Sequence, residues 1–135
     1  RVVRETMRLR PPSWGLLREV QTDTVLDGTS LRTGDFLMLP QWTLHRDGRF
    51  FVDPATFDPD RWAVRDPNGT RAYFPFGAGP QSCIGGRLAR TEGTLVLASV
   101  LPEVDLATTT RAIDDLRVAG VLRPRNGVPA EVERV

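Results

Sequence analysis

Apolar and polar positions come in short bursts at both ends of the chain, and they fall into a long helical rhythm only once. Val2–Leu9 reads as a short helix, stopped by Pro11 and Pro12, which lack the N–H a helix needs. "LLREV" (Leu16–Val20) has the character of a strand. Thr24–Leu26 is a second strand and ends at the turn signal Asp27-Gly28. "DFLMLP" (Asp35–Pro40) follows Gly34 as a third short strand, and "QWTLHRD" predicts a short helical segment. Periodicity then lapses over Asp47–Pro80, a stretch rich in Gly, Pro, Asp and aromatics. A run of that length without regular structure either serves a function or packs against something large. The helical rhythm comes over Ile84–Leu101, where Ile84, Leu88, Leu95 and Leu101 are roughly helically spaced, Ala89, Val96, Leu97 and Val100 widen the stripe, and Pro102 closes it. In the tail, Asn126-Gly127 lies between two alternating stretches and predicts a hairpin.

These elements describe an α+β arrangement rather than an alternating parallel one. They are too few to cover their own apolar faces, so a further layer is expected to cover them. The chain opens "RVVRETMRLRPPSW" without a Met, and its first residues already resemble the last turns of a helix. The expectation is a chain that begins partway through a larger protein.

Composition narrows the classes. The 135 residues are about one domain's length, with 40% hydrophobic and 26% charged residues, as in ordinary folded domains. Eighteen basic and 17 acidic residues leave a net charge of +1, which argues against a nucleic-acid footprint or a polybasic membrane patch. No apolar run reaches the roughly 18 residues of a membrane span. One cysteine excludes a disulfide within the chain, and a cytoplasmic setting is the default.

That cysteine, Cys83, sits in "FPFGAGPQSCIGG" (Phe74–Gly86), just ahead of the long helical run. Gly77 and Gly79 permit tight turning and close approach, and Pro75 and Pro80 stiffen the loop. Free N–H groups at a helix N-terminus favour an anion, so the position suits an ionised sulfur, a good soft ligand for iron. Four readings stand open on the residues alone. A lone cysteine is most often a small buried hydrophobe. A nucleophile needs a base, for which His45 is the sole histidine. One Cys and one His do not make a structural zinc site. An axial thiolate to haem iron is the fourth.

"FPFGAGPQSCIGG" resembles the haem-binding loop of the cytochromes P-450, with the pattern Phe-x-x-Gly-x-Arg-x-Cys-x-Gly. Phe76, Gly79, Cys83 and Gly85 stand at its fixed positions, and Gln81 replaces the Arg. "ETMR" is similar to the family's Glu-x-x-Arg helix motif; by itself Glu5/Arg8 reads as a surface ion pair, three residues apart on one helix face. "FDPDRW" resembles its meander motif, and Arg61 takes the place of the third member of a Glu-Arg-Arg network; alone it reads as a solvated loop arginine. "HRDGRFF" resembles a His-Arg-Asp-Pro stretch, with Gly48 in place of Pro. The three motifs follow in the family's order, roughly 50 and then 20 residues apart.

The resemblance implies the C-terminal, haem-ligating portion (1–135) of one larger, mainly α domain: the end of the Glu-x-x-Arg helix, small sheets, meander, ligand loop, long proximal helix and C-terminal hairpin. Cys83 would be the iron ligand of a haem b. Phe76 would pack near the sulfur, and Gly79 and Gly85 would leave room. Arg18 would meet a propionate, with Gln81 offering only a neutral hydrogen bond; His45 and Arg87 are looser propionate candidates, expected to be solvated. Glu5, Arg8 and Arg61 would be structural. The implied activity is monooxygenation of a small apolar organic substrate, with electrons from a ferredoxin or flavoprotein reductase. Alternatives are a truncated non-catalytic fragment and a peroxygenase or isomerase variant. The family's oxygen-activating acid–alcohol pair belongs to a helix upstream of the Glu-x-x-Arg motif.

Overall fold

A computed structural model describes residues 1–64, 71–108 and 115–135 of the chain. Helix α1 (Val2–Leu9) ends where Pro11 and Pro12 forbid another turn. Strand β1 (Leu16–Glu19) pairs antiparallel with β4 (Phe36–Leu39), Leu16 opposite Leu39 and Glu19 opposite Phe36. Between them β2 (Thr24–Leu26) and β3 (Thr29–Leu31) form a hairpin. Its two turn residues, Asp27 and Gly28, have φ of 47° and 76°, the left-handed pair that a two-residue hairpin loop requires. Helix α2 (Gln41–Leu44) follows Pro40, and α3 (Arg61–Val64) interrupts the long irregular stretch. Helix α4 (Gly86–Val100) starts two residues later than its apolar rhythm predicts, because Cys83 and Ile84 belong to the loop. It crosses α1 at Gly93, where a Cβ would stand 3.6 Å from the Val3 side chain.

The tail departs from expectation. Strand β6 (Leu116–Val118) turns through Ala119–Val121 into β7 (Leu122–Pro124), and β8 (Ala130–Arg134) pairs with β5 (Val104–Thr108). The tail therefore holds a hairpin, but not at Asn126-Gly127. The chain on either side of Asn126-Gly127 pairs elsewhere, Pro124 with Leu116 of β6 and Ala130 with Thr108 of β5. Partnered with β5, β8 makes an uninterrupted ladder from Val104↔Arg134 to Thr108↔Ala130.

The apolar core is small. Phe51, Trp62 and Ala72 form it, with Tyr73 packed against them and its ring centroid 4.6 Å from that of Trp62. The stripe on α4 is oriented outward instead: Leu88, Leu95 and Val96 are exposed, and of the helix only Gly86 is buried. Among the described residues no helix is long and apolar enough to cross a membrane.

The most enclosed side chains are polar. Glu5, Arg8, Gln41 and His45 are all 0% exposed. Glu5 and Arg8 share a face of α1 and pair through Nη2–Oε1 at 2.8 Å and Nε–Oε2 at 3.0 Å, so they are not a surface ion pair. Glu5 also accepts from the Asp58 N–H at 2.9 Å, Arg61 Nε at 3.0 Å and Trp62 Nε1 at 2.9 Å. The remaining Arg8 N–H groups go to the carbonyls of His45, Pro54 and Thr56 at 2.7–3.0 Å. Arg61, nearly buried, also donates to the Val52 carbonyl at 2.8 Å. The irregular segment has no ladder of its own, and these side-chain bonds to its backbone shape it. Burial alone would raise the Glu5 pKa; the bonds from Arg8, the Asp58 N–H and Arg61, with the Arg8 charge, outweigh it and hold the carboxyl below its usual range.

Glu5→Gln leaves the Arg8 charge buried without a counter-ion. Urea unfolding should show a loss of about 3–5 kcal/mol. Arg61→Leu, which removes a partner at the network's rim, should cost less.

Candidate functional site

Two turns position Cys83. The Gly77 N–H donates to the Phe74 carbonyl at 2.9 Å, and the Ser82 N–H to the Gly79 carbonyl at 3.0 Å across a 3-10 turn, Gly79–Gln81. Gly77 and Gly79 have φ of 75° and 73°, backbone that a side chain would strain. The Cys83 N–H then donates to the Phe76 carbonyl at 2.8 Å, closing the loop on itself. The Cys83 carbonyl accepts from the Gly86 N–H at 3.2 Å, so the sulfur sits immediately before the first turn of α4.

The Cys83 thiol is exposed, which excludes the buried-hydrophobe reading. It borders a cleft of ≈340 Å³, far more than the ~30 Å³ share of one water, lined among others by Phe74, Phe76, Ile84, Arg87 and Arg90. Two glycines shape the cleft. At Gly86 a Cβ would come within 3.0–3.3 Å of Phe76, so the ring lies directly on the backbone. At Gly85 it would stand 3.8 Å from the Cys83 sulfur. The Arg90 guanidinium lies over the Phe76 ring, 5.5 Å from its centroid. Among the residues lining the cleft, the thiol is the one soft donor that can bond iron strongly. An open sulfur between glycines fits a flat metallated ring bound by one thiolate.

The structure gathers some of the sequence-predicted residues and separates others. Phe76, Cys83, Gly85 and Arg87 meet at or beside the cleft. Gly79 and exposed Gln81 form the 3-10 turn two residues from the sulfur, and Gln81 does not line the cleft. Arg18 does not line it either; its Nη1 donates to the Leu17 carbonyl at 3.0 Å. Arg18 shares a strand face with Leu16, whose side chain would stand 3.5 Å from a Cβ at Gly77. Glu5, Arg8 and Arg61 lie together, away from the cleft, in the network described above.

His45 requires a correction. It is neither solvated nor at the cleft: its ring is buried, and Nε2 accepts the Phe74 N–H at 3.1 Å. Gln41, one helical turn earlier and also buried, donates from Nε2 to the Phe74 carbonyl. Sequence reasoning missed Gln41 as a site residue, and also the Trp62 bond to Glu5. The signal for the first was the four-residue spacing of Gln41 and His45, which puts both on one face of the short helix.

Burial pushes the His45 pKa down to about 4; the backbone of Arg8 and Met7 partly offsets this, and the Arg8 and Arg46 charges add to it. The imidazole is therefore neutral at pH 7, as an Nε2 acceptor must be. Tyr73, whose hydroxyl donates to the Arg4 carbonyl at 3.1 Å, is raised to about 12 chiefly by burial.

A histidine held neutral in the fold makes stability depend on pH. Below pH 6.5 the unfolded chain takes up a proton that the folded chain refuses until about pH 4. Stability should fall across that window as pH drops, by up to about 1.4 kcal/mol per pH unit. Glu5 adds a loss of the same sign below its ordinary range. Urea unfolding from pH 7 to pH 4 should show the slope, and His45→Gln should flatten it above pH 5. Separately, Gly86→Ala forces Phe76 or α4 to shift and should cost about 1–3 kcal/mol by thermal unfolding.

Comparisons with known proteins agree with this picture. A family model described as Cytochrome P450 matches residues 1–128. The rat protein Cytochrome P450 4V2 is 34% identical over 137 residues, covering 98% of this chain and 26% of that protein. Cyclooctatin synthase of Streptomyces melanosporofaciens is 41% identical over 102 residues, covering 74% of this chain and 22% of that one. Among solved structures, a retinoic acid-bound cyanobacterial CYP120A1 superposes with a TM-score of 0.86 and 27% identity over 99% of this chain and 32% of that one. The chain spans about a quarter of the length of the curated relatives it matches.

Proposed function

The chain belongs to the cytochrome P450 family, and on that premise we propose that it is the C-terminal, haem-ligating portion of a larger domain that acts as a haem-thiolate monooxygenase. The reaction is insertion of one oxygen atom of O2 into a small apolar organic substrate, with electrons from a ferredoxin or flavoprotein reductase. The observation that carries the reading is the exposed Cys83 thiol at the edge of a glycine-shaped cleft, its backbone N–H already committed to Phe76.

Cys83 is the residue to hold the iron of haem b. Oxygen activation is the chemistry that haem supplies when bound, with the thiolate's electron donation favouring O–O cleavage. Phe76, seated on Gly86, gives the sulfur an apolar neighbour, and a thiolate's electron density depends on such surroundings. Gly79 and Gly85 keep side chains away from the ligand. A ring with anionic propionates needs donors at its edge. With Gln81 in place of an arginine, one donor is a neutral amide, and Arg18 is the cation on the strand face nearest the loop.

One observation favours reading the chain as a part and not a working enzyme. Ile84, Leu88, Leu95 and Val96 are exposed along the start and one side of α4, and a set of large apolar side chains left open to water marks contact with further structure. Read so, the chain supplies the ligand and its support, and the substrate pocket belongs to the rest of the domain.

Haem reconstitution tests the ligand. Reduced protein with CO should give the red-shifted Soret band of thiolate ligation, and Cys83→Ala should abolish it. A histidine-type band in the unaltered protein would overturn the assignment.

A further inference from the structure

We propose that His45 is a positioning residue for the Cys83 loop: its buried imidazole couples the Glu5–Arg8–Arg61 network to the backbone that presents the thiol. This rests on the reading of Cys83 as the iron ligand.

His45 is engaged on several sides at once. Its carbonyl accepts Arg8 Nη1 at 2.8 Å, and its N–H donates to the Gln41 carbonyl at 2.9 Å. Its ring packs on Tyr73 and Phe74, with centroids 5.4 and 5.5 Å away. Its Nε2 accepts the Phe74 N–H at 3.1 Å. The partner matters because Phe74 lies in no strand or helix and Pro75 follows it, so neither a ladder nor a turn of helix supplies an acceptor. A backbone N–H withdrawn from water needs one, and the imidazole provides it. Gln41 takes the Phe74 carbonyl, so α2 grips that residue from both sides.

The grip reaches the sulfur by a short route. The same Phe74 carbonyl accepts the Gly77 N–H at 2.9 Å, and inside that turn the Phe76 carbonyl accepts the Cys83 N–H at 2.8 Å. From Arg8 to Cys83 the connection therefore runs through hydrogen bonds and a tight turn, not through slack chain. Nε2 must be an acceptor for this to hold. Nδ1, the opposite ring nitrogen, is buried too, and the backbone of Arg8 and Met7 also acts on the imidazole, so the ring bears on α1 as well as on Phe74.

The test compares His45→Leu, which removes the acceptor, with His45→Gln, which retains a carbonyl acceptor. In the unliganded chain, the Phe74 amide should exchange with deuterium about tenfold faster in His45→Leu, and His45→Gln should restore part of that protection. After reconstitution with hemin, the share of thiolate-type Soret absorbance in the reduced CO complex should fall severalfold in His45→Leu and recover in His45→Gln. A purely structural histidine would lower the melting temperature without moving that share at temperatures where the variant is folded. If His45→Leu does not fold, Gln41→Leu breaks the other arm of the grip and should move the share in the same direction. Unchanged Phe74 exchange and an unchanged thiolate share in a folded variant would overturn the proposal. If haem bound to the unaltered chain gives a histidine-type band, the haem-ligand reading fails, and Phe74 exchange still decides whether His45 holds the loop.

Discussion

A single buried carboxylate organises this chain. Glu5 lies on α1 with no access to water, and a bare ion there would be costly by several kcal/mol. It is tolerable only with its lone pairs filled. The donors come from Arg8 on the same helix and from Asp58, Arg61 and Trp62 across the meander. Meeting that requirement leaves the meander one way to lie. Arg8 reinforces it from the other side of the ion pair, since its N–H groups find carbonyls at His45, Pro54 and Thr56. A segment without helix or ladder is thus ordered by bonds from a helix to its backbone.

The same polar centre explains how a chain with so small an apolar core has a defined interior. Phe51, Trp62 and Ala72 contribute burial, but hydrophobic contact is non-directional and tolerates many packings. Hydrogen bonds to charged groups are directional and costly to leave unmade. Trp62 joins the two: its ring packs in the core, and its N–H completes Glu5. Arg8 also lies 5.2 Å from the Phe51 ring centroid, so cation and core share a surface.

Local features were legible in the sequence. Prolines end α1, Asp27-Gly28 turns the first hairpin with both residues left-handed, and the apolar rhythm locates α4 to within two residues. The Cys83 loop was legible as well, because glycine and proline spacing dictates backbone shape directly. The Asn126-Gly127 turn misled because the dipeptide records a local bend and not the partners of its flanks, which pair with β6 and β5 instead of with each other. The burial of His45 was not legible. Its acceptor role depends on Phe74, far along the chain, and no local pattern records which histidine will be enclosed. For the same reason the network's partners beyond Glu5, Arg8 and Arg61 were invisible: they are backbone carbonyls, the Asp58 N–H and one indole, which carry no motif.

The way the site is built follows from the number of bonds it offers. A metal held by several side chains is located by the ligands themselves, since each restricts the others. The Cys83 sulfur, proposed as the ligand and the one soft donor lining the cleft, has no such help, and a rotation of its loop would move it without resistance from a second ligand. Rigidity must then come from the loop, and the loop is too short to have a core of its own. It gets that rigidity from backbone bonds at both ends, Gly77 to Phe74 and Cys83 to Phe76, and from a ring that Gly86 lets sit against the helix. The polar hub at Glu5 and Arg8 and the loop that carries the thiol are therefore joined through His45 and Phe74: an interior that resists sliding, bonded to a loop that presents one sulfur.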